Sequence, residues 1–213
     1  MVQVVLASNN RGKLTELAAL LEDLPLELVA QGTLGIDAAD ETGTTFVENA
    51  IIKARHAARA SGRAAIADDS GLVVPALGGA PGVRSARYAG PAADDAANRA
   101  CLLTAMRGLA GAQRAGHFVC VMVYMRHADD PLPLVATAQW HGHILEKAVG
   151  SGGFGYDPLF GVDAAASHGA RSAAELAPSE KNRLSHRGQA VRELAAGLAA
   201  ELGTGAVAHG GKR

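Results

Sequence analysis

The sequence is poor in the features that mark disulfide-rich, membrane or nucleic-acid-binding proteins. It has 213 residues, two cysteines and an aromatic fraction of 4%, and its formal net charge is −1. Cys101 and Cys120 belong to no paired-cysteine motif. We therefore predict that they are reduced core thiols in a cytoplasmic protein and do not form a disulfide. A net charge this close to zero argues against a general binder of nucleic acid or of membrane surfaces. Any phosphate chemistry must therefore use local basic residues.

Long apolar runs are absent as well. No stretch approaches the length of a membrane span, and the N-terminal run Val2–Ala7 is too short for a signal peptide and lacks a basic leader. We therefore expect neither an anchor nor a cleaved leader. A chain of this length fits one large domain or two small lobes. It can bury roughly 70–75% of its unfolded surface, so it needs no disulfide or structural metal to fold.

The most informative stretch is a pair of adjacent carboxylates at the end of an apolar run. The run Ala64–Ala67 predicts a buried strand, and Asp68-Asp69-Ser70-Gly71 follows it. Adjacent side chains on an extended backbone point to opposite faces, so only one of the two carboxylates need face a site. Carboxylate oxygens suit Mg²⁺, and a carboxylate is also a competent general base. The alternative is an ordinary turn, because Asp-Ser-Gly is common turn chemistry.

A second polar stretch follows the first apolar run. Val2–Ala7 predicts a buried strand, Ser8–Lys13 is polar or glycine throughout, and leucines at helical spacing come next. A loop that leads into a helix N-terminus presents N–H groups to an anion, and Lys13 adds a point charge. It is not a Walker A loop, because Ala7 and Leu14 stand where that pattern needs glycine and Ser or Thr. A simple strand–helix turn is the alternative.

Regular elements are marked by capping residues and apolar runs. Thr45 and Glu48 match a capping box, so the sequence predicts a helix from there to about residue 60, ended by Gly62. Phe118–Met125 is apolar on both faces and predicts a central strand, with Leu134–Trp140 as its neighbour. These patterns predict a mixture of helices and strands.

Three polar residues of that helix share one stripe. Asn49, Lys53 and His56 lie four and three residues apart, and a polar stripe of this kind predicts a solvated face. Glu41, just before the helix, is either a second metal carboxylate or a solvated charge. His141 and His143 resemble a zinc pair, but no third ligand is evident, so we expect no zinc there.

The glycine-rich segment Ser151–Pro158 is the second concentrated feature. Its glycines surround Phe154, and Asp157 follows closely. A backbone this bare can approach a ligand, and Phe154 could stack on a flat base, which is worth roughly 1–3 kcal/mol. The alternative is a tight turn with Phe154 in the core.

Together these segments resemble the inosine triphosphate pyrophosphatase-like family over about residues 2–202. The resemblance rests on six short segments in the same order, namely Ser8-Asn9-Asn10 with Lys13 and Glu16, Thr45-Phe46 with Asn49-Ala50 and Lys53-Ala54, Ala67–Leu72, Pro81–Val83 with Ser85–Tyr88, Gly153–Pro158, and Ser185–Gly188. The resemblance implies an α/β fold with a long curved mixed β-sheet, flanked by helices, and two lobes around a central cleft. It also implies a homodimer. We expect one two-lobed domain over residues 1–203 and a flexible tail over 204–213.

The resemblance further implies Mg²⁺-dependent hydrolysis of ITP, dITP and XTP to the monophosphate and pyrophosphate. It assigns Asp69 as general base and Glu41 and Asp69 as Mg²⁺ ligands. The substrate-binding residues that it implies are Ser8, Asn9, Asn10, Arg11, Gly12, Lys13, Lys53, Ser70, Phe154, Gly155, Tyr156, Asp157, Lys181, His186 and Arg187. Two alternatives remain: a related pyrophosphatase that prefers pyrimidine or methylated triphosphates, and a sensor that binds a triphosphate without cleaving it.

Overall fold

A mixed six-stranded β-sheet forms the centre of the computed structural model, which describes residues 1–8, 17–18, 21–22, 24–162 and 171–202. The strands are β1 (Val2–Leu6), β2 (Leu26–Ala30), β3 (Ala64–Val73), β4 (Ala115–Met125), β5 (Leu134–Ile144) and β6 (Phe160–Gly161). Their order across the sheet is β2-β1-β3-β4-β5-β6. β1 runs parallel to β2 and β3, and the other neighbours are antiparallel.

Helices cover both faces of this sheet. They are α1 (Phe46–Ser61), α2 (Asp95–Ala105), α3 (Pro178–Leu184) and α4 (His186–Glu201), and a 3₁₀ segment spans Gly82–Arg87. α1 packs on one face and α4 on the other, which confirms the predicted α/β class with a mixed sheet flanked by helices. Within the described ranges, no helix is long and apolar enough to cross a membrane.

The ends of α1 follow the prediction from the sequence. The Thr45 hydroxyl accepts a hydrogen bond from the Glu48 N–H, and the Glu48 carboxylate accepts one from the Thr45 N–H at 2.9 Å. Gly62 ends the helix with φ of +66°, a left-handed conformation that glycine adopts without a steric penalty. The capping box therefore sets the first residue of α1, the helix that carries the polar stripe.

β3 separates two apolar layers by strict alternation. Ala65 and Ala67 pack with the alanines of α1, whereas Ile66 packs on the opposite face with Leu194 and Leu198 of α4. Fully burying a leucine or isoleucine side chain is worth about 1.5–3 kcal/mol, so the register of β3 is strongly specified. That register also decides which way the two aspartates after Ala67 point.

A third apolar cluster lies at the far end of the sheet. The rings of Phe118 and Phe160 have centroids 4.6 Å apart, and Trp140 packs beside them. Cys120 is buried and Cys101 half-buried, and both are free thiols. The expected tail, 204–213, lies outside the described residues.

Candidate active site

The two adjacent aspartates lie within β3, not in a turn. Asp68 pairs with Met122 and Asp69 with Val121 across the ladder to β4, so the turn interpretation is wrong. Asp69 faces α1, where it accepts hydrogen bonds from Asn49 and Lys53, both at 3.2 Å. Asp68 faces the other side, with its Oδ2 3.8 Å from an Arg187 guanidinium nitrogen. The strand therefore directs the two carboxylates to opposite faces, as the alternation predicts.

Lys53 joins two carboxylates that are distant in the sequence. Its Nζ lies 2.9 Å from Glu41 Oε1 and 3.2 Å from Asp69 Oδ1. Arg87 also approaches Glu41, with 3.5 Å between the guanidinium nitrogen and Oε2. The Lys53 side chain is 13% exposed and Asn49 is fully buried, so a solvated face is the wrong interpretation for these two residues. We call Glu41, Lys53 and Asp69 the carboxylate–lysine cluster.

Burial and charge act in opposite directions on the pKa values of this cluster. Burial raises the pKa of Asp69 above its ordinary value, and the nearby Lys53 charge offsets only part of this shift. Burial also opposes ionisation of Glu41, but Lys53 and Arg87 outweigh it and lower the Glu41 pKa. For Lys53, burial is outweighed by Asp69 and Glu41, so its pKa is raised. Lys53 thus stays protonated, and Asp69 is more basic than an ordinary aspartate.

The donor set of this cluster fits Mg²⁺. Glu41 and Asp69 direct carboxylate oxygens at the same ammonium group, so both oxygens can face one cation. Within the described ranges, no group of three or more His, Cys, Asp or Glu could hold a metal. Mg²⁺ commonly uses one or two carboxylates together with water and substrate phosphates, so two carboxylates are sufficient.

The aromatic ring of the glycine-rich loop is exposed at the other end of the site. Phe154 is 60% exposed, so its placement in the core is the wrong interpretation. Lys181 Nζ lies 4.7 Å and Arg187 Cζ 5.6 Å from the ring centroid. The exposed ring can stack on a flat ligand, and the two cationic groups beside it can donate hydrogen bonds to that ligand.

Hydrogen bonds from the loop to its own residues and to other segments set the backbone path around Phe154. Asp157 Oδ2 accepts from the Phe154 N–H at 2.8 Å and also from Lys181 Nζ. A Cβ at Gly153, where φ is +71°, would lie 2.1 Å from that carboxylate oxygen, so the turn requires glycine. Tyr156 is buried, and its hydroxyl donates to the Ser85 carbonyl at 2.9 Å. Burial raises the Tyr156 pKa, which keeps the hydroxyl a donor.

Two further contacts of this loop were missed from the sequence. Asp95 Oδ2 accepts from the Gly155 N–H at 2.6 Å, and Arg99 donates to the Gly155 carbonyl at 2.7 Å. Both residues lie on α2, 60 and 56 residues earlier in the chain. Because their partner is backbone, no side-chain motif could have revealed them.

The start of α4 brings two predicted residues to the opposite wall. Ser185 caps the helix by accepting from the Gly188 N–H at 3.2 Å. The His186 ring stacks on Phe118 with centroids 4.8 Å apart and 12° between the planes. Arg187 donates to the Ser70 hydroxyl at 3.3 Å, which places it beside the carboxylates of β3.

One cavity of about 870 Å³ connects the two ends. This volume lies within the usual range for small-molecule sites. The predicted residues that line it are Glu41, Lys53, Asp69, Ser70, Phe154, Gly155, Tyr156, Asp157, Lys181, His186 and Arg187. Ser8 is not among the lining residues, although it lies at the end of β1 beside β3. Asn9, Asn10, Arg11, Gly12 and Lys13 lie outside the described residues, so their phosphate contacts stay a prediction.

Comparison with known proteins agrees with this geometry. A family model described as "Ham1 family" matches residues 4–197. A dITP/XTP pyrophosphatase from Methylococcus capsulatus is 57% identical over 201 residues, covering 94% of this chain and 98% of that protein. One from Pectobacterium atrosepticum is 55% identical over 194 residues, covering 91% and 96%. The structure of a HAM1 protein from Coxiella burnetii is 46% identical with a TM-score of 0.88, covering 94% of this chain and 100% of that one. The sequence, the fold and these matches establish that the chain belongs to the Ham1 family.

Proposed function

We propose that this protein hydrolyses the non-standard purine nucleoside triphosphates ITP, dITP and XTP to the nucleoside monophosphate and pyrophosphate. The observation that carries the proposal is the shared cavity, onto which the carboxylate–lysine cluster and the Phe154 loop both open. Relatives at 55% and 57% identity that are named dITP/XTP pyrophosphatases support the same substrate class. Such an activity would remove these triphosphates from the nucleotide pool.

The phosphate end of the substrate belongs at the carboxylate–lysine cluster. A triphosphate needs cations close by, and Lys53 supplies one from the cavity wall. Ser8 lies at the end of β1, beside β3. We assign Ser8 and the following residues 9–13 to the triphosphate. Glu41 and Asp69 would hold Mg²⁺, which when bound neutralises phosphate charge and orients the triphosphate.

Asp69 is the residue that we assign as general base. A water oxygen forms a bond to the α-phosphorus, and its proton passes to the Asp69 carboxylate. The bond between the α-phosphorus and the bridging oxygen breaks, and pyrophosphate leaves with the electron pair. Before Mg²⁺ binds, burial raises the Asp69 pKa above its ordinary value, and the charge of bound Mg²⁺ would lower it again. Asn49 and Lys53 hold its two oxygens in place.

The base end lies beside Phe154. We propose that the purine stacks on this ring and that Lys181, His186 and Arg187 enclose it, with donors directed at the 6-position. ITP and XTP carry an oxygen acceptor there, whereas ATP carries an amino group that would leave these donors unpaired. GTP shares the 6-oxygen and differs at the 2-position, so its rejection must occur at that edge of the cavity.

The products distinguish this proposal from its alternatives. Incubation with ITP and Mg²⁺, followed by ion-exchange chromatography, should yield IMP and pyrophosphate in equal amounts. IDP and orthophosphate as first products would contradict cleavage between the α- and β-phosphates. Binding of ITP without any turnover would identify a sensor instead.

We also propose a homodimer in the cytoplasm. The family resemblance supports the dimer, and the free thiols of Cys101 and Cys120 suit a reducing compartment. Size-exclusion chromatography with light scattering should give twice the 21.7 kDa chain mass. A single chain mass at micromolar concentration would refute the dimer.

A further inference from the structure

Helix α2 holds the loop that carries Phe154. It does so through both backbone polar groups of Gly155, the N–H and the carbonyl. The Asp95 carboxylate accepts from the Gly155 N–H at 2.6 Å, and the Arg99 guanidinium donates to the Gly155 carbonyl at 2.7 Å. Asp95 and Arg99 are four residues apart and therefore share one face of α2. Bonds that involve a charged group are the stronger class of hydrogen bond.

α2 is also attached to the segment around Arg87, which lines the same cavity. Asn98 is buried, accepts from the Ala89 N–H at 2.8 Å and donates to the Ala86 carbonyl at 3.1 Å. The neighbouring Arg87 reaches Glu41 in the carboxylate–lysine cluster. α2 thus links the segment beside the phosphate end to the loop at the base end.

Phe154 depends on its backbone for its orientation. The residue is 60% exposed, so packing against the core does little to fix the direction of the ring. Next to it, Gly155 has φ of +56°, a conformation with weak steric restriction for glycine. The Asp157 hydrogen bonds hold the Phe154 backbone on one side, and the contacts from α2 additionally restrict Gly155, the residue next to the stacking ring.

We propose that Asp95 and Arg99 are positioning residues for nucleobase recognition, which hold Gly155 so that Phe154 presents its ring to the purine. This inference rests on the proposed function, because it assigns the base to Phe154. It differs from a general stabilising role, since it concerns only the base end of the cavity. The phosphate end should be unaffected by loss of either side chain.

The decisive variant is Arg99→Ala, assayed with ITP and with inorganic tripolyphosphate, which has no base, as a competitive inhibitor. We expect KM for ITP to rise about three- to tenfold, in keeping with the loss of one partly exposed charged hydrogen bond. We expect kcat to change less than about twofold and the tripolyphosphate inhibition constant to stay at the wild-type value. Arg107→Ala, at an exposed arginine just beyond α2, is the matched control and should leave KM, kcat and the inhibition constant unchanged.

Conservative variants and a double-mutant cycle separate positioning from folding. Arg99→Lys keeps a donor and Asp95→Asn keeps an acceptor, so both should raise KM for ITP much less than Arg99→Ala and Asp95→Ala do. In a Phe154→Ala background, Arg99→Ala should have little further effect, because both changes act through the same ring.

An unchanged KM in Arg99→Ala would overturn the inference. A parallel rise in the tripolyphosphate inhibition constant, or full additivity with Phe154→Ala, would also overturn it. Failure of the wild-type protein to turn over ITP would instead refute the proposed function. The same variants would then be compared by calorimetric binding of ITP, where an unchanged affinity in Arg99→Ala would overturn the positioning role separately.

Discussion

Replacing each aspartate of β3 by asparagine should have opposite consequences. Asp69→Asn keeps the size of the side chain but removes the charge that is proposed to hold Mg²⁺ and accept a proton. Loss of the base alone should lower kcat about 10²–10⁴-fold, and weaker metal binding should add to this. Stability should change little, because burial already disfavours the Asp69 charge, and Lys53 keeps Glu41 at 2.9 Å.

Asp68→Asn should instead cost stability. Asp68 and Arg187 are both buried, with side chains 2% and 8% exposed and 3.8 Å between the charged atoms. Removing one charge of a buried pair costs up to about 3–5 kcal/mol, and an amide that still accepts a hydrogen bond should cost about 1–3. For a chain of this size, each kcal/mol lowers the melting temperature by roughly 2–4 °C.

The assay compares turnover of ITP at saturating Mg²⁺ with thermal melting for both variants. We expect an inactive Asp69→Asn with near-wild-type melting, and an Asp68→Asn that melts several degrees lower but retains most activity. If Asp68→Asn were inactive and Asp69→Asn nearly wild type, the roles assigned from the two faces of β3 would be reversed.

Three further predictions concern the carboxylates proposed to hold Mg²⁺, the exposed Phe154 ring and a buried ion pair after β4. Chelation should abolish activity, and Glu41→Gln should raise the Mg²⁺ concentration for half-maximal rate about tenfold or more, measured by metal titration; full activity in excess EDTA would contradict this. Phe154→Ala should raise KM for ITP about 5–150-fold, on the scale of one lost base–aromatic stack, and an unchanged KM would exclude stacking. Just after β4, the buried Asp130 carboxylate accepts hydrogen bonds from the Arg126 guanidinium at 2.6 and 3.0 Å. Asp130→Asn should lower the free energy of unfolding by about 1–3 kcal/mol at neutral pH, because these hydrogen bonds hold the Asp130 pKa well below its usual range. Because the folded-state pKa is lowered, ionised Asp130 stabilises the fold at pH values above the ordinary carboxyl pKa of about 4, and this stabilisation is lost as the pH falls towards the folded-state pKa. The difference in unfolding free energy between wild type and Asp130→Asn, measured by urea denaturation, should therefore shrink with acid. A difference that stays constant would contradict the assignment.

The sequence predicts elements best where the signal is local. The capping box of Thr45 and Glu48 and the stop at Gly62 are short-range features, and the structure confirms them. β4 begins at Ala115, three residues before the apolar run suggested, because residues 115–117 all pair with β5 and His117 also pairs with β3. Strand bounds depend on partners that are distant in the sequence, so an apolar run alone cannot set them.

The site shows the same division between local and distant information. The opposite directions of Asp68 and Asp69 follow from strand geometry alone. The burial of Asn49 and Lys53 does not, since it depends on Asp69 in a different element. A polar stripe on a helix looks identical whether it faces water or a buried carboxylate. Asp95 and Arg99 are harder still, because backbone groups of Gly155 are their partners.

The most direct test of the account is base selectivity. Pyrophosphate release should be measured with Mg²⁺ at matched concentrations of ITP, dITP, XTP, GTP, ATP and dTTP, and kcat/KM compared. The cavity lined by Phe154, Lys181 and Arg187 predicts that ITP, dITP and XTP exceed GTP, ATP and dTTP by at least about tenfold. A preference for dTTP, or equal rates with ATP and ITP, would contradict it.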